Sequence, residues 1–308
     1  MNTLDPTEID FDSYFADHQD DGAKIKPASH FVAAVLDRFY GQTSEATWTP
    51  TGFRKLAGDF DLRPGELTIW AGINGHGKTT FLSHVMLNLI AYAQKRVCIA
   101  SMEMKPVATM AKLAQQAAGV SKPSQAYVRK FHQWTDGYLW LYDHQGKLAA
   151  SRALAVATYC RKELQIDHMV IDSLMKCGIG PEDYAAQKDF VDGLTAICRD
   201  TGLHIHLVAH MRKGENERVA PDKFGVKGAS EIVDLTDNMV IIWKNMRKLD
   251  APEGKRIDSD PDAYLRVGKQ RHHPWEGSKA FWFDRGSQQF LETYADQPTY
   301  IDMDGVTQ

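Results

Sequence analysis

The stretch Gly72-Ile-Asn-Gly-His-Gly-Lys-Thr79 fits the spacing G-x-x-x-x-G-K-[ST], and each residue type in that pattern has a mechanical reason. Glycines let backbone N–H groups close around phosphate oxygens, and a helix opening at the end of the loop adds a favourable dipole. Lys78 would contact the β- and γ-phosphates of a nucleoside triphosphate, ATP or another NTP or dNTP, and the Thr79 hydroxyl would ligate Mg2+. Gly72, Asn74, Gly75, His76, Gly77 and Thr80 complete the set placed to touch that nucleotide. The competing reading is a chance match in a glycine-rich turn. Against it stand the apolar run "LTIWA" before the loop and the helical pattern after it.

Anhydride hydrolysis needs a second carboxylate at the metal and a group that orients the attacking water. Asp172 ends the apolar run "HMVID" and would share the metal with Thr79, while Glu103, after "VCIASM", would accept a proton as general base. His210 ends "HIHLVAH" and would sense the γ-phosphate. An ordinary strand-end or loop carboxylate is the plain alternative for each acid.

These residues need strands to carry them. Strands are expected at 67–71, 97–101, 138–142, 168–172, 204–209 and 239–243, and helices at 78–94, 105–118, 151–164 and 184–200. Strands separated by helices of that length imply crossover connections, an α/β class and a mainly parallel sheet. Runs at 263–271, 279–284 and 288–294 lack helices between them and read as C-terminal β-hairpins at one sheet edge. Polar groups at the carboxyl ends of parallel strands converge on the crevice where open α/β sheets hold ligands.

The 308 residues allow one large α/β domain with an appendage. With 43% hydrophobic and 25% charged residues the composition is that of a soluble globular protein, and no apolar run approaches a membrane span. The absence of a signal region at the start and four widely spaced cysteines point to a cytoplasmic protein with reduced, buried thiols. Residues 1–22 carry seven carboxylates and no Lys or Arg, as a solvated tail or a docking arm would. At 28–40, Phe31, Val32, Val35, Leu36 and Phe39 fall at helical spacing, and their stripe must cover its own domain or a neighbour's. The expected division is an acidic arm and helix over 1–45, the main domain over 46–296 and a tail over 297–308. A net charge of −4 counts against a globally basic nucleic-acid binder, so any such surface must be local.

"GELTIWAGINGHGKTTF", "SMEM", "HMVIDSL", "LHIHLVAHMRK", "GASEIVDLTDNMVII" and "LRVGKQRH" resemble, in order and spacing, the RecA-like P-loop NTPase core of hexameric replicative helicases. The likeness covers about 45–295 and is nearest to the helicase half of tailed-phage primase-helicases and to Twinkle, with DnaB-type helicases more distant. It implies a ring-forming motor with ATP between subunits. Lys269 and Arg271 match the family's K-x-R motif, which implies Arg271 as an arginine finger acting in trans and Lys269 as its companion. The plain alternative is that both decorate the solvent face of a strand. Phe283 falls near the family's base-stacking aromatic, with Trp282 equally placed, and Lys244 stands where a relative has an arginine beside the base. The family's channel loops correspond to 173–187 and 211–230, so Lys176, Arg212, Lys213, Arg218, Lys223 and Lys227 are implied as contacts to single-stranded DNA. A solvated surface loop is the alternative for 211–230. Implied partners are further copies in a hexameric ring and a separate primase or polymerase, in host cytoplasm if the chain is phage-encoded. Two other functions fit the residues less fully: a recombinase-like ATPase that binds single-stranded DNA without unwinding, and a nucleotide-gated loader.

Overall fold

A computed structural model describes residues 2–4, 27–33, 35–36, 48–180, 182–211, 230–252, 254–255 and 257–304. Strands β4 (Leu67–Gly72), β5 (Val97–Ser101) and β7 (His168–Asp172) are buried at every position. This is why their sequences read as unbroken apolar runs rather than alternating ones: helices cover both faces of the sheet. With β6 (Leu139–Tyr142), β8 (His204–His210) and β9 (Asn238–Lys244) they form the parallel centre of a 10-stranded sheet ordered β1-β6-β5-β7-β8-β4-β9-β10-β11-β12. Strands β10 (Ala263–Gln270), β11 (Gly277–Asp284) and β12 (Gln289–Leu291) continue it in antiparallel pairing, as the helix-free C-terminal runs imply. The short strands β2 (Thr49–Pro50) and β3 (Asp61–Leu62) pair separately in the turn-rich entry.

Helices α1 (Lys78–Ala93), α2 (Pro106–Ala118) and α3 (Gln125–Thr135) pack on one face through Phe81, Val85, Leu113 and Phe131. Helices α4 (Ala150–Lys162) and α5 (Tyr184–Thr201) pack on the other through Val156, Cys160, Phe190 and Leu194. All four cysteines are buried free thiols. Helix α3 is absent from the sequence expectation. Its segment "QAYVRKFHQWT" is mostly polar, yet Ser124 caps it by accepting the Tyr127 N–H at 3.1 Å, and Tyr127, Phe131 and Thr135 recur every fourth residue on the buried side.

Two expectations about the N-terminal region are sharpened. Within the acidic arm, strand β1 (Asn2–Leu4) pairs in parallel with β6 at the sheet edge, so at least this part is neither a solvated tail nor a free arm. Residues 28–31 form a 3-10 turn and helical residues follow, with Val32, Val35 and Leu36 54%, 47% and 51% exposed. Among the described residues, therefore, nothing covers Val32, Val35 or Leu36, and Phe39 lies outside the described residues.

Under α1 the sheet carries a buried polar seam. The Trp70 indole, a donor only, gives its N–H to His206 Nδ1 at 3.0 Å, so His206 Nε2 bears the proton and donates to His168 Nδ1 at 3.2 Å. His204 donates from Nδ1 to the Arg63 carbonyl at 2.6 Å and accepts from the Thr68 hydroxyl at 2.9 Å. Burial drives the pKa of all three imidazoles down, that of His204 to about 4.

Candidate nucleotide site

Strands β5, β7, β8 and β4 lie side by side, with Ser101 beside Asp172 and Gly72 beside His210. Their carboxyl ends open on a single edge because they are parallel. The loop 73–77 leaves β4 there, Glu103 follows β5, and Asp172 and His210 close β7 and β8. Sequence-distant residues thus meet through sheet order alone.

Gly72 is required for space: a Cβ there would stand 2.5 Å from the Ile242 carbonyl oxygen. Gly77 precedes α1 at φ 90°, a left-handed geometry that a glycine adopts without strain. Lys78 donates from Nζ to the carbonyls of Gly72 at 2.9 Å and Ile73 at 3.0 Å, which holds the ammonium inside its own loop. Burial lowers its pKa, and the charges of Asp172 and Glu103 act in the opposite sense.

The Thr79 hydroxyl donates to Asp172 Oδ2 at 2.7 Å. Asp172 is buried, and desolvation raises its pKa more than the Thr79 hydrogen bond and Lys78 lower it. A hydroxyl and a desolvated carboxylate in contact are a hard-oxygen donor pair, and a cation there would restore the charged carboxylate that burial disfavours, so Thr79 and Asp172 fit Mg2+. Glu103 is 40% exposed at the open edge. Its Oε1 accepts from the Ser173 hydroxyl at 3.3 Å and lies 3.7 Å from His210 Nε2.

Beside the loop lies a cleft of about 380 Å3, walled by Gly75, His76, Thr80, Phe283, Arg285 and Gln288, a volume suited to a small organic ligand. His76 Nδ1 accepts the Lys244 backbone N–H at 3.2 Å and so fastens the loop to the end of β9. Phe283 lines this cleft; Trp282 instead gives its indole N–H to the Ser259 carbonyl at 3.1 Å. Asn74 is exposed on the loop.

Four neighbours of the site escaped the sequence reading. Arg285 and Gln288 line the cleft from the turn that follows β11. Lys112 and Gln116, on α2, contact Thr80: Lys112 Nζ donates to its hydroxyl at 3.3 Å and Gln116 Nε2 to its carbonyl at 3.0 Å. Their i, i+4 spacing beside buried Met110, Leu113 and Ala117 was the available signal, since polar groups on a buried helix flank need partners.

Lys269 and Arg271 stand elsewhere. Lys269 donates to the carbonyls of Val233 at 2.7 Å and Asp234 at 2.8 Å, at the end of α6 (Ser230–Leu235). Arg271 donates to the carbonyls of Asp234 and Leu235 at 3.2 Å and pairs with Asp237 at 3.0 Å. Both therefore sit at the amino end of β9, whereas the phosphate loop sits level with Ile241 and beyond. Along the strand, Lys269 lies about 7 Å and Arg271 about 13 Å from the level of Ile241, with the loop further on. The bonds described for both side chains run to the segment Val233–Asp237, at the opposite end of β9 from the loop. Lys176, half-buried, occupies a 3-10 turn (Leu174–Lys176) just beyond Asp172, on the site's side of the sheet. Arg212, Lys213, Arg218, Lys223 and Lys227 lie outside the described residues.

A family model described as an AAA domain matches residues 38–216, more than half of the chain, and spans the loop, Glu103, Asp172 and His210. The chain belongs to this AAA-domain family. Its fold is similar to that of the ATPase domain of a phage helicase, with a TM-score of 0.70 and 14% identity over 87% of this chain and 99% of that one. It is also similar to a structure described as "a DnaB-like replicative helicase and its interactions with primase", with a TM-score of 0.68 and 13% identity over 87% of this chain and 67% of that one. At such identities what is shared is the RecA-like fold of this AAA-domain chain, a mainly parallel sheet with helices on both faces. Among the described residues no helix is long and apolar enough to cross a membrane.

Proposed function

We propose that this AAA-domain protein is a ring-forming DNA helicase that couples ATP hydrolysis to translocation on single-stranded DNA. The observation that carries the hydrolytic part is the convergence of Lys78, Thr79, Asp172, Glu103 and His210 at the ends of four neighbouring strands. Mg2+, held by Thr79 and Asp172, would neutralise charge on the transferring phosphoryl group. Lys78 binds the β- and γ-phosphates, Glu103 takes a proton from the attacking water, and His210 beside it reads the γ-phosphate. Phe283 stacks on the base in the cleft.

Among the described residues, Lys78 is the one cation held inside the phosphate loop, and it is tied to the carbonyls of Gly72 and Ile73. Lys269 and Arg271 lie too far from their own loop, which supports their service to an adjacent copy, Arg271 as the finger and Lys269 as its companion. The exposed Val32, Val35 and Leu36 support an arm over 1–45 that packs on that neighbour, with the main domain over 46–296 and a tail beyond. Lys176, with Arg212, Lys213, Arg218, Lys223 and Lys227, grips the phosphate backbone of DNA in the channel, six-fold around a hexamer. A primase or polymerase is the expected partner of the acidic arm, in the cytoplasm.

Incubation with ATP, Mg2+ and a forked duplex tests the proposal. Strand separation supports it; ATPase activity stimulated by single strands without separation would favour a recombinase-like role.

A further inference from the structure

Helix α2 begins three residues after Glu103 and reaches Thr80, Met104 and Gln288 around the nucleotide site. Gln116, 1% exposed, uses both hydrogens of its side-chain amide: Nε2 donates to the Thr80 carbonyl at 3.0 Å and to the Gln288 carbonyl at 2.8 Å. Thr80 belongs to the first turn of α1, next to the metal-site hydroxyl of Thr79. Gln288 lines the base-sized cleft in the turn between β11 and β12 and is held at φ 61°, left-handed for a residue with a side chain. A second tie runs from Gln289 Nε2 to the Gln116 carbonyl at 2.5 Å. One turn earlier, Lys112 donates to the Thr80 hydroxyl and lies 3.9 Å from the sulfur of Met104, the residue after Glu103. Lys112 also walls, with Thr79 and Asp172, a small enclosed space behind the metal site.

We propose that Gln116 and Lys112 are positioning residues that link occupancy of the cleft by a nucleoside to the placement of Glu103. A base against Phe283 fixes the β11–β12 turn, the Gln288 carbonyl fixes Gln116, and α2 moves as one rigid helix with Glu103 just ahead of its first turn. The same helix holds Thr80, so the carboxylate, the phosphate loop and the base-side turn keep one relative arrangement only when all three ties are made. Neither side chain touches the reacting atoms. An apolar residue at 116, a position 1% exposed, would remove both donors and with them the ties of α2 to α1 and to the β11–β12 turn. This inference rests on the hydrolase reading above.

The test compares hydrolysis of ATP with that of ribose 5′-triphosphate, which has the phosphates and sugar but no base. In the wild-type protein kcat should be higher for ATP, and equal rates on the two substrates would overturn the linkage. In Gln116→Leu, kcat for ATP should fall about tenfold, the worth of a buried hydrogen bond lost in the transition state. Its KM should stay nearly constant, and the two substrates should become equally fast. Lys112→Met should act in the same way, and Lys112→Arg, which keeps a donor, should restore the preference for ATP. Should Gln116→Leu fail to fold, Lys112→Met, at a less buried position, carries the same comparison. A wild-type preference that survives both apolar variants, or an equal loss on both substrates, overturns the linkage and leaves the hydrolase reading intact. A wild-type protein that binds a non-hydrolysable ATP analogue yet cleaves neither substrate overturns the hydrolase reading and the linkage together.

Discussion

Lowering the pH from 7.5 to 5 places the buried histidines in conflict with the fold. His84 and His204 have pKa values near 4 against an ordinary 6.5, because burial disfavours the imidazolium. Each is neutral in the native state, so the unfolded chain binds the extra proton, and stability is complete above pH 6.5 and lost as pH falls below it. At pH 5 the difference amounts to about 2 kcal/mol for each of the two groups, or about 4 kcal/mol together. His168 and His206 are shifted in the same direction and add to the loss. The carboxyls of Asp61, Glu66 and Asp172, raised by burial, oppose it, because they take up protons more readily in the folded protein. Since domains are stable by only about 5–15 kcal/mol, the histidine contribution decides whether the protein stays folded in mild acid. Urea unfolding at pH 7.5, 6.5, 5.5 and 5.0 should give a midpoint that falls steadily below pH 6.5. The variant His204→Asn, which keeps a donor toward the Arg63 carbonyl, should reduce the slope by about 1.4 kcal/mol per pH unit, one proton's worth. A wild-type midpoint unchanged between pH 7.5 and 5, or a slope unaltered in the variant, would refute the reasoning.

Other perturbations act on the nucleotide site and on assembly. Gly72→Ala forces a Cβ to within 2.5 Å of the Ile242 carbonyl, on strand backbone that cannot yield; nucleotide binding should be lost and stability reduced by about 1–3 kcal/mol, read by calorimetry and urea titration. Phe283→Ala removes the aromatic from the cleft and should weaken ATP binding about tenfold or more, with little change in binding of inorganic tripolyphosphate. Deleting residues 1–45 removes both the β1 strand and the exposed Val32, Val35 and Leu36; circular dichroism should remain native-like while native mass measurement shows loss of assembly, and a full ring from the truncated chain would count against the arm.

Much of the architecture was legible because the central strands are buried on both faces, so hydrophobicity alone marked 67–71, 97–101 and 168–172. Chemistry at their ends was legible because glycine, lysine and carboxylate have few other uses at a strand-to-helix turn. What stayed hidden was set by tertiary contact. Helix α3 buries only Tyr127, Phe131 and Thr135, too thin an apolar stripe to mark a helix in a mostly polar segment. The Asn2–Leu4 strand has three residues and no pattern that could distinguish it from a tail. The roles of Lys112 and Gln116 depend on Thr80, which α1 brings to them and which no local pattern at 105–118 reveals. For Trp282 and Phe283, adjacent on one strand, only the side of the sheet each faces separates the cleft residue from the other.

The central claim is that one chain supplies the phosphate loop and the next supplies the cation. Its direct test is the ATPase rate of mixed assemblies made from Lys78→Ala and Arg271→Ala proteins, each inactive alone, the second retaining measurable nucleotide binding. Recovery of hydrolysis on mixing is the predicted result, since some interfaces then pair an intact loop with an intact arginine. No recovery in assemblies shown by mass to contain both proteins would contradict the shared site.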